Sequence, residues 1–510
     1  MAAAARRLSA RAVLALAGLG LLAPATAAAP GTFTTRGAWS FASAPGLHPP
    51  RLLTLGHVSW SQLARGDFVL ANFPNEAVPG PMTGQSGPLL VDQTLAPVWF
   101  APVPTSLVAG DLEQESYLGS PVLVWWQGEL TSTGATLRGQ VVVVDQHYRR
   151  VATLQAKRPW VISLHDAVIS GGEVWVTVYR YVKDENLSAY GGPRRGTVYD
   201  AGVQEYDVGT GKLLYTWDAL NPGRAPHVPL SASEQPASVA TAAGAAWDAY
   251  HVNSIQVLPG NQILVSMRNT WAVYLIDTST GKILWTLGGK HSSFRFGRGA
   301  SFAWQHDAQL VSSTELTLFD DACCRLEPGR RFVPPSRGSR GMVLQLDVAR
   351  HTTSLVAAYP HHPPLDVLFL GSMQLLPSQG AVVGWGSQHY FSEYSRKGTQ
   401  LLDALFPGKD QSYRALFTST WVGTPFYPPS GAVRRTRAAT TVYASWNGAT
   451  EVSRWQILAG SAPHGLSVVS AGRRRGFETA FRLRAGNYLY FAVRALSSAG
   501  QVLGTSRPFR

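Results

Sequence analysis

Cysteine is nearly missing from this chain of 510 residues: there are two, and they are adjacent, Cys323-Cys324. No disulfide framework can therefore staple the fold, and a strained vicinal disulfide or two reduced thiols are the readings left. Long apolar runs are also missing. The one from Ala12 to Leu22 is about half of the ~20 residues a membrane-spanning helix needs. It follows Arg6, Arg7 and Arg11 and precedes Pro24 and Ala25-Thr26-Ala27-Ala28, which is how a secretory signal is built. We expect residues 1–28 to be a signal peptide and the chain to be exported, either secreted or associated with a cell wall. Arg6-Arg7 leaves a twin-arginine route open beside the general secretory one. No Gly-rich phosphate loop or dinucleotide fingerprint follows a strand and opens a helix, so no nucleotide donor or cofactor is expected. No cysteine or carboxylate cluster at metal-ligand spacing accompanies the histidines, so no metal is expected either.

Acidic residues are scarce at one end only. The net charge is +13, which suggests nucleic acid or membrane until it is located. Taking away the three signal arginines leaves +10, and residues 431–510 alone carry 12 Arg against 2 Glu. The rest of the mature chain is near neutral, so no nucleic-acid partner is expected. The basic end, with Arg434, Arg435, Arg437, Arg473, Arg474 and Arg475, is either a solvated face or a surface for an anionic cell-surface polymer.

Sustained helical periodicity is scarce after residue 28, whereas period-two alternation recurs, as in Glu173–Tyr179 and Gln262–Met267; the chain is expected to be all-β. Val203-Gln204-Glu205-Tyr206-Asp207 and Val273-Tyr274-Leu275-Ile276-Asp277, each followed shortly by Thr-Gly-Lys, are one pattern written twice. Weaker copies end at Asp92, Asp145, Asp347 and Ser395, which makes six units spaced 53, 62, 70, 70 and 48 residues apart. Short strands and polar turns repeating at this interval predict a six-bladed β-propeller over residues 29–430. Its ends are the weakest part of the count, because closure usually mixes strands from both ends of the domain. After Pro428-Pro429-Ser430-Gly431 the pattern changes to short strands carrying Trp446, Trp455, Tyr488 and Tyr490. Residues 431–510 thus read as a basic β-sandwich of fibronectin type III or immunoglobulin-like kind.

Four segments carry the chemistry: Ser163-Leu164-His165-Asp166, His251-Val252-Asn253-Ser254, Ser266-Met267-Arg268-Asn269-Thr270-Trp271 and Trp304-Gln305-His306-Asp307-Ala308. His165, His251, Arg268 and His306 are each read as lying at the same place in a repeat and so about one repeat apart, and a propeller gathers such positions at one mouth of its channel. Three imidazoles and a guanidinium could there hold a transferring oxyanion group while one imidazole attacks it. The run from Trp247 to Phe319, with Leu287-Gly288-Gly289-Lys290, and the segments Val383–Gln388 and Tyr390–Glu393 resemble the actinobacterial and fungal branch of the arylsulfotransferase family. The resemblance covers roughly residues 65 to 425. It implies a small-molecule aryl sulfate donor, a phenolic acceptor and a ping-pong transfer without nucleotide. It also implies His306 as the nucleophile forming a sulfohistidine, with His251, Arg268 and His165 as further catalytic residues.

Arg268 offers a planar fork for sulfuryl oxygens. His251 and Asn253, two apart on a strand, would share a face and donate to the same group, with Asn253 binding substrate. His165 would be an oxygen ligand or would exchange a proton with the phenol oxygen. Trp247, Tyr250, Trp271 and Trp304 could wall a flat phenol or pack between blades, and about half are expected in the core. The aspartates after His165 and His306 could be turn residues bonding their own backbone. His291, His361, His362 and His389 are expected on loops or the surface. The alternative to an enzyme is a non-enzymatic propeller that binds a sulfated or anionic aromatic or glycan ligand; a quinoprotein-like dehydrogenase lacks its calcium carboxylates. Relatives with an N-terminal sandwich leave the oligomeric state here open, since residues 29–65 are too short for one.

Overall fold

The computed structural model describes residues 33–510 except 76–77, 132–133, 243, 323–324, 328–330, 334–337, 379 and 485–486. The expected signal peptide and Cys323-Cys324 lie outside the described residues. Among the described residues, the α-helical segment is Ala237–Ala242, and no helix is long and apolar enough to cross a membrane.

Among the described residues, 53–418 form six sheets of four or five strands, antiparallel except for the short edge strand Arg295–Phe296, which pairs in parallel with Thr352–Pro360. The second runs Val108–Tyr117, Ser120–Leu130, Thr136–Asp145, Arg150–Leu154; the third Val161–Ser170, Glu173–Glu185, Gly196–Asp207, Leu213–Asp218. The fourth runs Val252–Leu258, Gln262–Met267, Ala272–Asp277, Ile283–Gly288. The fifth is His306–Leu310, Glu315–Asp320, Arg340–Asp347, Thr352–Pro360, and the sixth Ser372–Leu375, Ala381–Gly384, Tyr390–Tyr394, Gln400–Leu405. The first sheet mixes the two ends: Asp410–Thr418 pairs with Asp67–Pro74, which continues into Gly87–Asp92 and Pro97–Phe100. Among the described residues no sheet closes on itself. Instead, the leading strand of each sheet packs against that of the next, from Asp410–Thr418 through Val108, Val161, Val252, His306 and Ser372 and back to Asp410–Thr418.

The aspartates of the sequence repeat all end the third strand of a sheet. Each is there for one reason: its Oδ1 accepts backbone N–H groups of the turn that follows, as Asp145 does from His147 and Arg149, both at 2.8 Å, and Asp277 from Ser279 at 2.8 Å. Asp92, Asp207 and Asp347 do the same, and Ser395 substitutes its hydroxyl. Such a side chain supplies the turn with its own hydrogen bond and sends the chain back as the fourth strand.

Alternation then buries one face of every strand against the next sheet. Between the third and fourth sheets lie Trp175, Tyr179, Trp217, Trp247, Tyr250, Ile255 and Ile263. Each side chain of this size adds about 1.5–3 kcal/mol through burial, and a charge at Ile255, fully buried, would break this layer.

Residues 430–505 form two further sheets, of three strands (Ser430–Arg435, Thr440–Ser445, Glu478–Leu483) and four strands (Ser467–Arg473, Arg454–Gly460, Tyr490–Leu496, Val502–Thr505). Their shared core holds Val442, Trp455, Ile457 and Val493. This unit is stitched to the first and second sheets. Asn447 brackets the backbone of Phe100 from both sides, at 2.9 and 2.8 Å. Tyr148 donates its hydroxyl to the Gly448 carbonyl at 2.8 Å. Gly448 has φ +84°, and a Cβ there would lie 2.4 Å from the Tyr148 ring. Glycine is required at that joint both for its backbone and for the close approach.

Candidate functional site

The three histidines all stand on or beside leading strands, so the ring of sheets brings them together. His165 lies inside Val161–Ser170, His306 opens His306–Leu310, and His251 directly precedes Val252–Leu258. Arg268 departs from the expected placement. It sits in the short 3-10 turn Arg268–Thr270 after the second strand of the fourth sheet, in the same sheet as His251 rather than one repeat away. Its own N–H donates to the His251 carbonyl at 2.9 Å, which ties the two segments.

His306 is fully buried. Its Nδ1 lies 2.6 Å from Asp321 Oδ2, and its Nε2 accepts the Leu370 N–H at 3.2 Å. A backbone N–H can only donate, so Nε2 bears the lone pair and Nδ1 bears the proton, which Asp321 Oδ2 accepts. Burial pushes the Asp321 carboxyl up, and Arg268 opposes this. Burial and then Arg268, with His165, His251 and Arg414, hold His306 well below the ordinary imidazole value, so the ring is neutral.

Arg268 is partly covered. Its guanidinium lies 4.6 Å from the Trp304 ring centroid and donates to Leu368 C=O at 2.7 Å and to Asn269 Oδ1 at 3.1 Å. Its Nε has no hydrogen-bond partner among the described residues. Arg268 and His306 therefore meet on one segment, through residues only two apart, Leu368 and Leu370. Leu370 has φ +69°, a left-handed conformation unusual for leucine, and it is what turns the Leu370 N–H toward the ring.

His165 and His251 face each other, Nε2 to Nε2, at 3.2 Å. His165 Nδ1 lies 3.0 Å from Ser163 Oγ, which lies 2.6 Å from Thr177 Oγ1. His251 Nδ1 lies 2.5 Å from Asp248 Oδ2. Tyr179, buried, sets its ring against both His165 and His251 at 6.0 Å between centroids, and Tyr413, also buried, stands between His165 at 5.6 Å and His306 at 6.1 Å.

Asn253 behaves differently from expectation. His251 has φ +60° and lies off the strand, and the register shifts between Val252 and Ser254, so the two-residue spacing does not place both side chains on one regular face. The Asn253 amide is buried and donates to the Gln305 carbonyl at 2.7 Å, where it joins the fourth and fifth sheets.

The aspartates after His165 and His306 are not turn residues bonding their own backbone. Asp166 accepts the Ile255 N–H at 2.7 Å and Asp307 the Met373 N–H at 3.0 Å, each reaching into the next sheet. Both also face Arg414, which is buried on the closing strand, at 2.9 and 3.4 Å. Asp111 at 3.1 Å and Glu113 complete the set. One guanidinium thus gathers four carboxylates from three leading strands beneath the histidines. Burial pushes the Asp111 carboxyl up and brings Glu113 to about 7, with Arg414 opposing in both cases. Asp111, Glu113 and Asp166 could bracket a metal ion, but Arg414 already occupies that place with the same charge sign. The donor set does not fit a resident cation.

Of the aromatics beside the cluster, Trp247 and Tyr250 are core, whereas Trp271 and Trp304 pack on each other beside Arg268 at 5.3 Å. His361 and His389 lie in connecting segments, as expected, yet neither is free in solvent. His361 is buried, its Nε2 3.1 Å from Asp403 and its ring against Trp385, and His389 is half-buried, 2.6 Å from the Asp410 carbonyl. Sequence reasoning missed Asp321, Asp248 and Arg414. Asp248 had a local signal, three residues before His251; Asp321 and Arg414 had none.

The model of the family described as Arylsulfotransferase (ASST) matches residues 115–406, more than half of the chain, including His165, His251, Arg268, His306 and the Leu368–Leu370 segment but not Asp111, Glu113, Tyr413 or Arg414. No curated protein matches the sequence. Among solved structures, a protein of unknown function from Bacteroides caccae is similar at 10% identity and TM-score 0.40, over 69% of this chain and 99% of that one. The Myceliophteria thermophila Cps50 (Swd1) β-propeller domain is similar at 12% identity and TM-score 0.35, over 78% and 96%. The Dos1 propeller is similar at 11% and 0.28, over 73% and 75%. With the match spanning the three histidines and Arg268, the chain belongs to the arylsulfotransferase family.

Proposed function

We propose that this chain is an exported aryl sulfate sulfotransferase, that its six sheets are the blades of a propeller, and that the transferred group rides on His306. The supporting observation is the meeting of His306 and Arg268 on the Leu368–Leu370 segment, with Asp321 holding the His306 proton on Nδ1. A neutral imidazole with its lone pair on Nε2 is a nucleophile near neutral pH. Nε2 attacks the sulfur of an aryl sulfate, the N–S bond forms as the aryl S–O bond breaks, and the phenolate leaves. A second phenol then takes the sulfuryl group from nitrogen, which regains its lone pair. Sulfuryl transfer resembles phosphoryl transfer in its loose transition state, so catalysis is positioning and charge stabilisation, which Arg268 supplies.

Sulfur can reach Nε2 only when the Leu370 N–H leaves it. The donor must therefore shift Leu368–Leu370, and its oxygens take over the guanidinium protons that the Leu368 carbonyl now accepts. Asn253 acts by joining two sheets behind the site. The C-terminal unit is a fibronectin type III-like sandwich whose arginine-rich surface suits an anionic cell-surface polymer.

Incubation with a 35S-labelled 4-nitrophenyl sulfate should place label on His306, give ping-pong kinetics with a second phenol, and fail in His306→Ala. The fully buried His306, with both ring nitrogens engaged, favours the second reading of a binding protein. Binding of aryl sulfates with no label on any histidine would establish that reading instead.

A further inference from the structure

The face-to-face histidines carry information that the sulfotransfer reading leaves unused. A short Nε2–Nε2 approach needs one proton between two nitrogens, and the neighbours decide which ring owns it. Asp248 is a carboxylate in contact with solvent, its side chain 27% exposed, and it can only accept. His251 therefore keeps its proton on Nδ1, directed to Asp248, and its Nε2 is a lone pair. His165 must supply the shared proton from its own Nε2, which leaves its Nδ1 to accept from Ser163, and Ser163 in turn accepts from Thr177. Every donor is used once and all bonds run the same way, ending on Asp248.

The two rings differ in what faces them. His165 is buried, near Arg414 and Arg268 as well as His251, and these with burial keep it from taking a second proton. His251 is a quarter exposed and faces Asp248, Tyr179 and His165. Its turn is pinned from behind, because the N–H groups of Arg268 and Asn269 donate to the carbonyls of His251 and Tyr250, and the Asn269 amide donates to the Asp248 carbonyl at 2.7 Å.

We propose that Asp248 makes His251, and not His165, the general base and acid of the reaction. On the sulfotransfer reading, on which this rests, an acceptor phenol entering between the rings gives its proton to His251 Nε2 as its oxygen bonds sulfur, and the imidazolium is stabilised by Asp248. The resting Nε2 has no proton to give, so in the first donor half-reaction the phenolate leaves unprotonated; in later turnovers the imidazolium left by the acceptor half-reaction returns its Nε2 proton to the departing phenolate. His165 remains a neutral donor that orients the phenol oxygen. Asp248 is a positioning residue, acting through the tautomer and charge of His251.

The test uses the full-length protein and the Asp248→Asn variant, with 4-nitrophenyl sulfate as donor. Labelling of His306 should stay within about tenfold of wild type, because 4-nitrophenolate leaves without an acid. Transfer onward should fall about 100-fold or more for phenol itself, the scale of lost acid–base catalysis. It should fall far less for pentafluorophenol, which is already ionised at neutral pH. Equal losses for both acceptors, or none, overturn the proposal while leaving the nucleophile reading intact. Should the wild type form no sulfohistidine, nitrogen-15 NMR of the imidazoles still decides. A Nδ1–H tautomer on His251 that changes in Asp248→Asn supports the proposal, and a Nε2–H tautomer on His251 refutes it.

Discussion

Replacing Asp321 with asparagine should separate stability from catalysis in opposite directions. The carboxylate is buried, one of its oxygens has no hydrogen-bond partner among the described residues, and burial pushes its protonation upward. A group whose folded pKa is raised costs stability once pH exceeds its unfolded value near 3.9, and that cost persists through neutral pH. Asparagine keeps the shape and can still accept from Nδ1, so the folded protein should lose nothing and gain roughly 0–2 kcal/mol at pH 7.5, in line with neutral replacement of buried charges. Chemistry should suffer instead. Without the carboxylate, the charge that stabilises a developing positive imidazole is gone, and the amide can turn its NH2 toward Nδ1 and reverse the tautomer. A comparable carboxylate-to-amide change in a serine protease costs about 10⁴, so a loss of 10²–10⁴ in the rate of His306 labelling is expected. The assays are denaturant unfolding and quenched labelling at matched pH. Activity within threefold of wild type would refute the reasoning, as would destabilisation above about 2 kcal/mol.

Arg268→Lys should slow labelling by more than a lost charge implies, on the order of 3 kcal/mol in the barrier, because one ammonium cannot span the acceptors of the guanidinium fork; steady-state and single-turnover rates check this. The acid limb of labelling should fall below the unperturbed imidazole value of about 6.5, since His306 is held low; a limb above pH 7 contradicts that. Arg414→Met should destabilise by about 3–5 kcal/mol at pH 7.5 and by less at pH 5, because Glu113, held near 7 in the fold, is then protonated and needs no counter-charge. Equal losses at both pH values, read from unfolding curves, would remove the counter-ion role. Deleting residues 431–510 should leave the sulfuryl chemistry but lower solubility, because it removes Phe477 from Phe41 and Gly448 from Tyr148; loss of labelling in a folded truncation would contradict the first half.

What could be read along the chain was what local chemistry determines. An aspartate ending a strand and feeding the next turn leaves the same mark five times, with Ser395 in its place the sixth time, so the third strand of each of the six sheets was visible from the sequence pattern alone. His165 and His306 were legible because they recur at matching points of that repeat. Arg268 was legible as a residue but not as a position, since the sequence carries no sign that Met267 ends a strand and that a tight turn closing on Trp271, at φ +52°, leads into the next at Ala272. The shared face of His251 and Asn253 was misjudged because a register shift, which alternation cannot reveal, and the left-handed His251 take that histidine off the strand. Asp166 and Asp307 resembled local turn residues, yet their partner Arg414 is 248 residues away from the first. Charge networks across a closed ring have no sequence period, and for the same reason Asp321 stayed hidden.

The position of Arg414 has a consequence for the order in which the molecule can assemble. Asp111, Asp166 and Asp307 are made first and the guanidinium that reconciles them comes last, on the strand that also pairs with Asp67–Pro74. Bringing those ends together across some 350 residues costs about 5 kcal/mol of chain entropy on the logarithmic scaling of loop closure, before any contact offsets it. Until residue 414 arrives, the carboxylates repel one another in the place where the sheets must converge. The early sheets can form as hairpin meanders, but their common centre cannot. A nascent chain shorter than this is therefore a string of separate sheets, and the histidines become a site in the same event that completes the ring.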